Sequence, residues 1–283
     1  MNVIDTGDFY GMGRNELLLG KALAGRKRDK AVLSVKYGAQ RGPDGAILGI
    51  DMSPAATKNA LAHSLSRLGV DYIDVYRPAG LDPKVPIEDT IGAIAELIQA
   101  GYVRHVSLSE VGVETLRRAA KVHAIADLQI EYSLVSRGPE TEILPALREL
   151  GIAVTAFGVL SRGLLTGSKP TDTHDARSWL PRFEGANRES NRALVDTLAK
   201  LAADKHVTAS QLAIAWVRAK GRALGVTVLP TIGARTVKQL TDALAGIDLE
   251  LSAGDVAAIE QAMPLAAGAR YPETMMQHLD SER

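Results

Sequence analysis

The 283-residue chain has no cysteine. That excludes disulfides, thiolate catalysis and Cys-ligated metals, and it is compatible with the reducing cytoplasm expected as its location. It also has no net charge, with 33 basic residues against 33 acidic ones. Electrostatics therefore gives no reason to expect nucleic acid or an anionic membrane as partner. No apolar run approaches the roughly 20 residues that cross a bilayer, and the N-terminus lacks the basic-then-apolar order of a signal peptide. Low-complexity segments are missing. The six histidines show no metal-ligand spacing, so no metal is expected. Gly11-Met12-Gly13 lacks the third glycine of a dinucleotide fingerprint, and Glu16 stands in its place.

What is present is a repeated strand–helix pattern. Short apolar, β-branched runs predict strands at 1–4, 31–36, 72–77, 105–109, 128–131, 152–157 and 225–229. Helical spacing and capping residues predict helices between them. Asn15 is the expected N-cap of a helix to Leu23, with Glu16, Leu17, Leu18 and Lys21 on its first turn and apolar face. Ser53-Pro54 opens a helix to about Leu68. Further helices are predicted at 86–100, 113–122, 141–150, 188–205, 208–220, 236–246 and 252–263. Residues 38–51 and 158–185 read as loops, and the tail after Pro264 shows no pattern.

Continuous apolar strands alternating with helices indicate a parallel sheet covered by helices. Two architectures fit, an open doubly wound sheet and a closed barrel. Polar residues end strand after strand: Asp5, Lys36, Arg77, Ser109 and Glu131. A barrel gathers such ends around one mouth, whereas an open sheet spreads most of them away from its switch point. The expectation is a single α/β domain over 1–283, a (β/α)8 TIM barrel. Seven strands are read where a barrel has eight, with the deficit placed at the front.

An acid, a phenol and an amine delivered by Asp5, Tyr10 and Lys36 form a plausible proton-donating site. A buried structural Asp–Lys pair beside a packing tyrosine is the competing reading. The quoted segments decide between them. Asn2-Val3-Ile4-Asp5-Thr6-Gly7-Asp8-Phe9-Tyr10-Gly11, Val35-Lys36-Tyr37-Gly38, Asp71 to Tyr76, Gly101 to Ser109 and Gln129-Ile130-Glu131-Tyr132-Ser133 together resemble the aldo-keto reductases, in order along nearly the whole chain. The resemblance implies the aldo-keto reductase type of barrel, lacking here the first strand and helix. It also implies NADPH as cofactor, a small carbonyl compound as substrate, and reduction to the alcohol. Tyr10 would be the general acid, Lys36 the ammonium that eases its proton loss, and Asp5 the group that fixes Lys36.

By the same resemblance, Ser109 and Gln129 hold the nicotinamide carboxamide and Phe157 stacks on the ring. Leu160, Ser161 and Arg162 lie along the pyrophosphate. Gly233 and Arg235 belong to the adenosine-phosphate loop, where Arg235 engages a 2′-phosphate. Gln239 and Asp242 contact the adenine end. The family's catalytic histidine falls on Ala79, and an asparagine expected near the adenine falls on Ala243. Ala79 and the absent first strand support the alternative of a catalytically impaired nucleotide-binding or regulatory relic.

Overall fold

The run Val32-Leu33-Ser34-Val35-Lys36-Tyr37 forms the strand that organises the first half of the chain. Its β-branched residues suit the extended backbone, and four of its side chains are buried apolar or aromatic groups or Lys36 itself. The computed structural model describes residues 2–172, 175 and 177–282. Met1 of the first expected strand lies outside the described residues, as do Thr173, His174 and Ala176 of the expected loop 158–185. The chain forms two units, Met1–Gln129 with Leu279–Arg283, and Ile130–His278.

The first unit begins with β1 (Val3–Gly7) and α1 (Arg14–Leu23), followed by β2 (Val32–Tyr37). A hairpin of β3 (Ala39–Arg41) and β4 (Ile47–Ile50) leads to α2 (Pro54–Leu68). Then come β5 (Ile73–Pro78), α3 (Ile87–Gln99), β6 (Val103–Ser109), α4 (Val113–Val122) and β7 (Ile125–Glu131), whose last two residues belong to the second unit. β1, β2, β5, β6 and β7 pair in that order, all parallel. The helices pack in sequence, α1 on α2, α2 on α3 and α3 on α4. Tyr37 and Tyr76 stack at 4.2 Å, and both hydroxyls are satisfied on Thr57. The end of the chain returns to this unit, where Asp280 Oδ2 accepts from Gly112 N at 2.8 Å at the start of α4.

In the second unit come α5 (Ile143–Leu150), β8 (Ala153–Phe157), α6 (Gly185–Asp204), α7 (Ala209–Leu224), β9 (Val228–Pro230), α8 (Val237–Asp248), α9 (Ala253–Ala262) and α10 (Glu273–Met276). β8 and β9 pair in parallel. α7 is the central helix. Leu212 through Val217 are buried without a break, so it is apolar nearly all round. Its start carries a full capping box from Thr208 and Gln211. α5, α6, α8 and α9 all touch it.

The expected element order holds, with local corrections. The first strand runs on to Gly7, past Asp5. The last strand lies at Val228–Pro230, later than 225–229. Residues 38–51, expected as a loop, contain the β3–β4 hairpin, whose Ile47, Leu48 and Ile50 remain exposed. The tail contains α10. Asn15 is not a cap: the N-cap of α1 is Gly13, in a left-handed conformation, and Asn15 Oδ1 accepts from Thr6 Oγ1. Nor are Leu17 and Leu18 the buried face. Both are exposed, and Glu16 is buried instead against Arg67, because the ion pair ties α1 to α2.

Candidate active site and nucleotide cleft

Parallel register sets the first group of residues. Asp5 on β1 stands opposite Ser34 on β2, and Gly7 opposite Lys36. Lys36 in turn stands opposite Arg77 on β5. Side chains two apart on a strand share a face, so Ser34 and Lys36 project together.

Asp5 Oδ1 accepts from Ser34 Oγ at 2.8 Å and from Gln129 Nε2 at 3.0 Å. Its other oxygen lies 3.6 Å from Lys36 Nζ. The ammonium also donates to Gln129 Oε1 at 2.5 Å. Both charged side chains are about nine-tenths buried, so their attraction is little screened by solvent.

Tyr10 lies beyond β1 in a tight turn over Tyr10–Gly13. Gly11, Met12 and Gly13 all take positive φ, of 58°, 54° and 86°. That is a costly backbone for Met12, and such strain is found where a side chain must be aimed. The Tyr10 ring packs edge-on against Phe9, and Lys36 Nζ lies 5.3 Å from its centroid. The phenol is partly exposed, at 38%, which leaves it open to a reactant. The structure therefore brings Asp5, Lys36 and Tyr10 together. Ala79, at the position of the expected histidine, only continues the strand pairing, its N–H donating to Tyr37 O.

Two residues before Tyr10 lies Asp8, a carboxylate that the sequence reading did not single out. Burial pushes its pKa up from 3.8 to about 6, with nearby Glu16 adding to the rise. The Gly38 N–H and Arg67 oppose it. Its Oδ2 accepts from Gly38 N, and its Oδ1 is buried with no hydrogen-bond partner among the described residues.

Within the second unit is a cleft of about 750 Å³. Seven of the nine cofactor candidates line it: Phe157, Leu160, Arg162, Gly233, Arg235, Gln239 and Asp242. Ser109 and Gln129 belong to the first unit, and the amide of Gln129 is already engaged by Asp5 and Lys36. Arg177, which sequence reading missed, also lines the cleft. Its guanidinium is locked on Asp175 and donates to the backbone carbonyls of Arg162 and Lys169. That fixes the left-handed turn Ser161–Arg162–Gly163.

Arg162 donates to Glu131, whose side chain is fully buried and also faces Arg182 and Arg270. Gly158 sits directly over this glutamate. A Cβ there would lie 2.9 Å from Glu131 Cγ, and the φ of +66° favours glycine in any case. At the far end, Gln239 Oε1 accepts from Arg235 N, and Asp242 accepts from Thr208 and Gln211. The arrangement suits an extended polyanion. Arginine side chains line the cleft, and Gly233 and Arg235 lie on the loop that leads into α8, whose N-cap is Thr236.

The family model for the aldo/keto reductase family matches residues 1–264. A probable aldo-keto reductase 1 from Glycine max is 38% identical over 274 residues, covering 94% of this chain and 77% of that one. The aldo-keto reductase yakc [NADP(+)] of Schizosaccharomyces pombe is 35% identical over 278 residues, covering 95% and 81%. Among solved structures, the glycerol dehydrogenase AKR11B4 from Gluconobacter oxydans superposes with a TM-score of 0.81 at 30% identity, covering 93% of this chain and 80% of that one.

Proposed function

The chain belongs to the aldo/keto reductase family, and from that premise we propose that it reduces aldehydes or ketones to alcohols with NADPH. A similar protein carries NADP(+) in its name, which supports the choice of cofactor. The residues present fit such a group. Arg162 and Arg235 would hold its phosphates, Phe157 would stack on its ring, and Gln239 and Asp242 would meet its adenine end. When bound, NADPH supplies the hydride that reaches the carbonyl carbon.

The chain's own residues handle the proton. Tyr10 donates it from its hydroxyl to the carbonyl oxygen. A free phenol, with a pKa near 10, is a reluctant acid at neutral pH. The Lys36 ammonium stabilises the phenolate left behind, which lowers the barrier to proton loss. Asp5 and Gln129 hold Lys36 from the other side, so it need not reorganise during the reaction. The observation that carries this reading is the buried Asp5–Lys36 pair beside the Tyr10 ring.

The test is NADPH oxidation followed at 340 nm with 4-nitrobenzaldehyde, together with fluorescence titration of NADPH. Wild-type protein should bind and turn over, and Tyr10→Phe should bind with little turnover. Binding without turnover in the wild type would favour the second reading, a nucleotide-binding relic, which Ala79 in the histidine position supports.

A further inference from the structure

Below the Asp5–Lys36 pair lies a buried guanidinium. Arg77, on β5, is 1% exposed. Its Nη2 donates to Ser34 Oγ at 3.0 Å and to Asp127 Oδ2 at 3.3 Å, and its Nη1 lies 3.1 Å from Asp127 Oδ1. Ser107 Oγ fixes the same Asp127 from β6 at 2.8 Å. The chain of contacts is therefore continuous from Asp127 to Arg77, to the Ser34 hydroxyl, to Asp5 and on to Lys36. The charged groups facing it are Asp5 from β1, Lys36 from β2 and Asp127 from β7.

As a source of stability this network is poor. Two charges must be desolvated, and Arg77 Nε is left buried without a hydrogen-bond partner among the described residues. An aliphatic side chain would fill that part of the strand at less cost. What the network does provide is direction. The hydroxyl of Ser34 has one proton and can point one way. Arg77 can only donate, so it takes up a lone pair of Ser34 Oγ and cannot receive the hydroxyl proton, which turns to the acceptor Asp5 Oδ1. Gln129 Nε2 donates to the same oxygen, which leaves Oδ2 of Asp5 turned to Lys36.

We propose that Arg77, acting through Ser34, is a positioning residue that fixes the orientation of Asp5 and thereby the place of Lys36 relative to Tyr10. This rests on the general-acid reading above. The guanidinium does the work at a distance, through one oriented hydroxyl.

The experiment measures the pH dependence of kcat for alcohol oxidation with NADP+, in which the Tyr10 phenolate must accept the proton, in wild type and three variants. Ser34→Ala removes the oriented hydroxyl. Arg77→Lys keeps the charge but lacks the fork that bridges Ser34 and Asp127. Ser34→Thr keeps the hydroxyl. If Arg77 and Ser34 position Lys36, Ser34→Ala and Arg77→Lys lower kcat by roughly tenfold, within the range one positioned charge-assisted bond supplies. They also move the midpoint of the pH profile upward by at least about half a unit, with the KM for NADP+ unchanged. Ser34→Thr returns the midpoint toward wild type. A lowered kcat or Tm with an unmoved midpoint would mean a structural role only, and unchanged kinetics would overturn the inference outright. Tyr10→Phe separates the two levels. If it keeps turnover, the general-acid reading fails; if it is inactive while Ser34→Ala keeps the wild-type midpoint, only the present inference fails.

Discussion

Gln129 binds Asp5 with one end of its amide: Nε2 donates to Asp5 Oδ1 at 3.0 Å, while the oxygen of the same amide accepts from Lys36. Gln129 is fully buried. It thus bridges the two charged groups with the polarity each needs. Replacing it by leucine takes one hydrogen bond from each charged group, a cost of about 1–3 kcal/mol for each bond lost. The expected outcome for Gln129→Leu is a lower Tm together with a fall in kcat of roughly tenfold or more. Thermal melts and steady-state NADPH oxidation measure both. Wild-type kcat would show that Gln129 is not needed to hold Lys36.

Asp8 makes stability depend on pH in a direction opposite to most carboxylates. Burial raises its folded pKa to about 6, so between pH 4 and 6 the folded state holds the proton and the unfolded state does not. Stability is then lost as pH rises through that window. The group is partly exposed, so solvent screening leaves about 1 kcal/mol of the effect. Asp8→Asn, which cannot ionise, should melt higher than wild type at pH 7.5 and show no such gain at pH 4. Parallel curves for the two proteins from pH 4 to 7.5 would contradict the assignment.

Much of the fold was legible because strand and helix periods differ and the elements recur. The active-site trio was legible through its family spacing. What stayed hidden was long-range. Residues 38–51 read as a loop because their glycines and proline mask two strands of three and four residues. Asp8, Ser34 and Arg77 acquire their roles only from partners on other strands. Arg270, beyond the matched residues 1–264, reaches Glu131 from a tail with no periodic signal.

Ala79 offers a gain-of-function test. Its side chain is half-buried, and its backbone N–H is already satisfied by Tyr37 O. A histidine there adds a ring that can donate to a carbonyl oxygen without disturbing the strand. Such a donor contributes roughly 10²-fold or more where it is well placed. Ala79→His should raise turnover on small aldehydes; an unchanged rate would show that the position is irrelevant to this enzyme.

Arg235 is exposed on the loop before α8, with its backbone N–H held by Gln239. If it engages a 2′-phosphate, the Arg235→Ala protein loses one charge-assisted contact that exists only with NADPH. Such a contact is worth about 1.5–3 kcal/mol, or roughly 10- to 100-fold in Kd. Titration should show weakened NADPH binding with NADH binding unaltered, and the NADPH loss should shrink at high salt. Equal weakening of both cofactors would move the 2′-phosphate site elsewhere.

The position of Arg235, Gln239 and Asp242 depends on how closely α8 approaches α7. The contact is made at Gly246, where an added Cβ would lie 2.7 Å from the Cα of Gln211 and 3.0 Å from its carbonyl oxygen. Those are backbone atoms of a capped, buried helix, and they cannot swing aside as a side chain tip would. Gly246→Ala therefore has to push α8 away. Alanine is the better helix former by about 1 kcal/mol, so propensity alone predicts stabilisation. Overpacking of a tight contact costs about 1–3 kcal/mol, and with backbone on the receiving side the clash wins. The expected result is a lower Tm and weaker NADPH binding, because Asp242 is held by Thr208 and Gln211 across the same pair of helices. A Tm at or above that of wild type would mean that the two helices separate at little cost, and the cleft would then owe its shape to the loop rather than to α8.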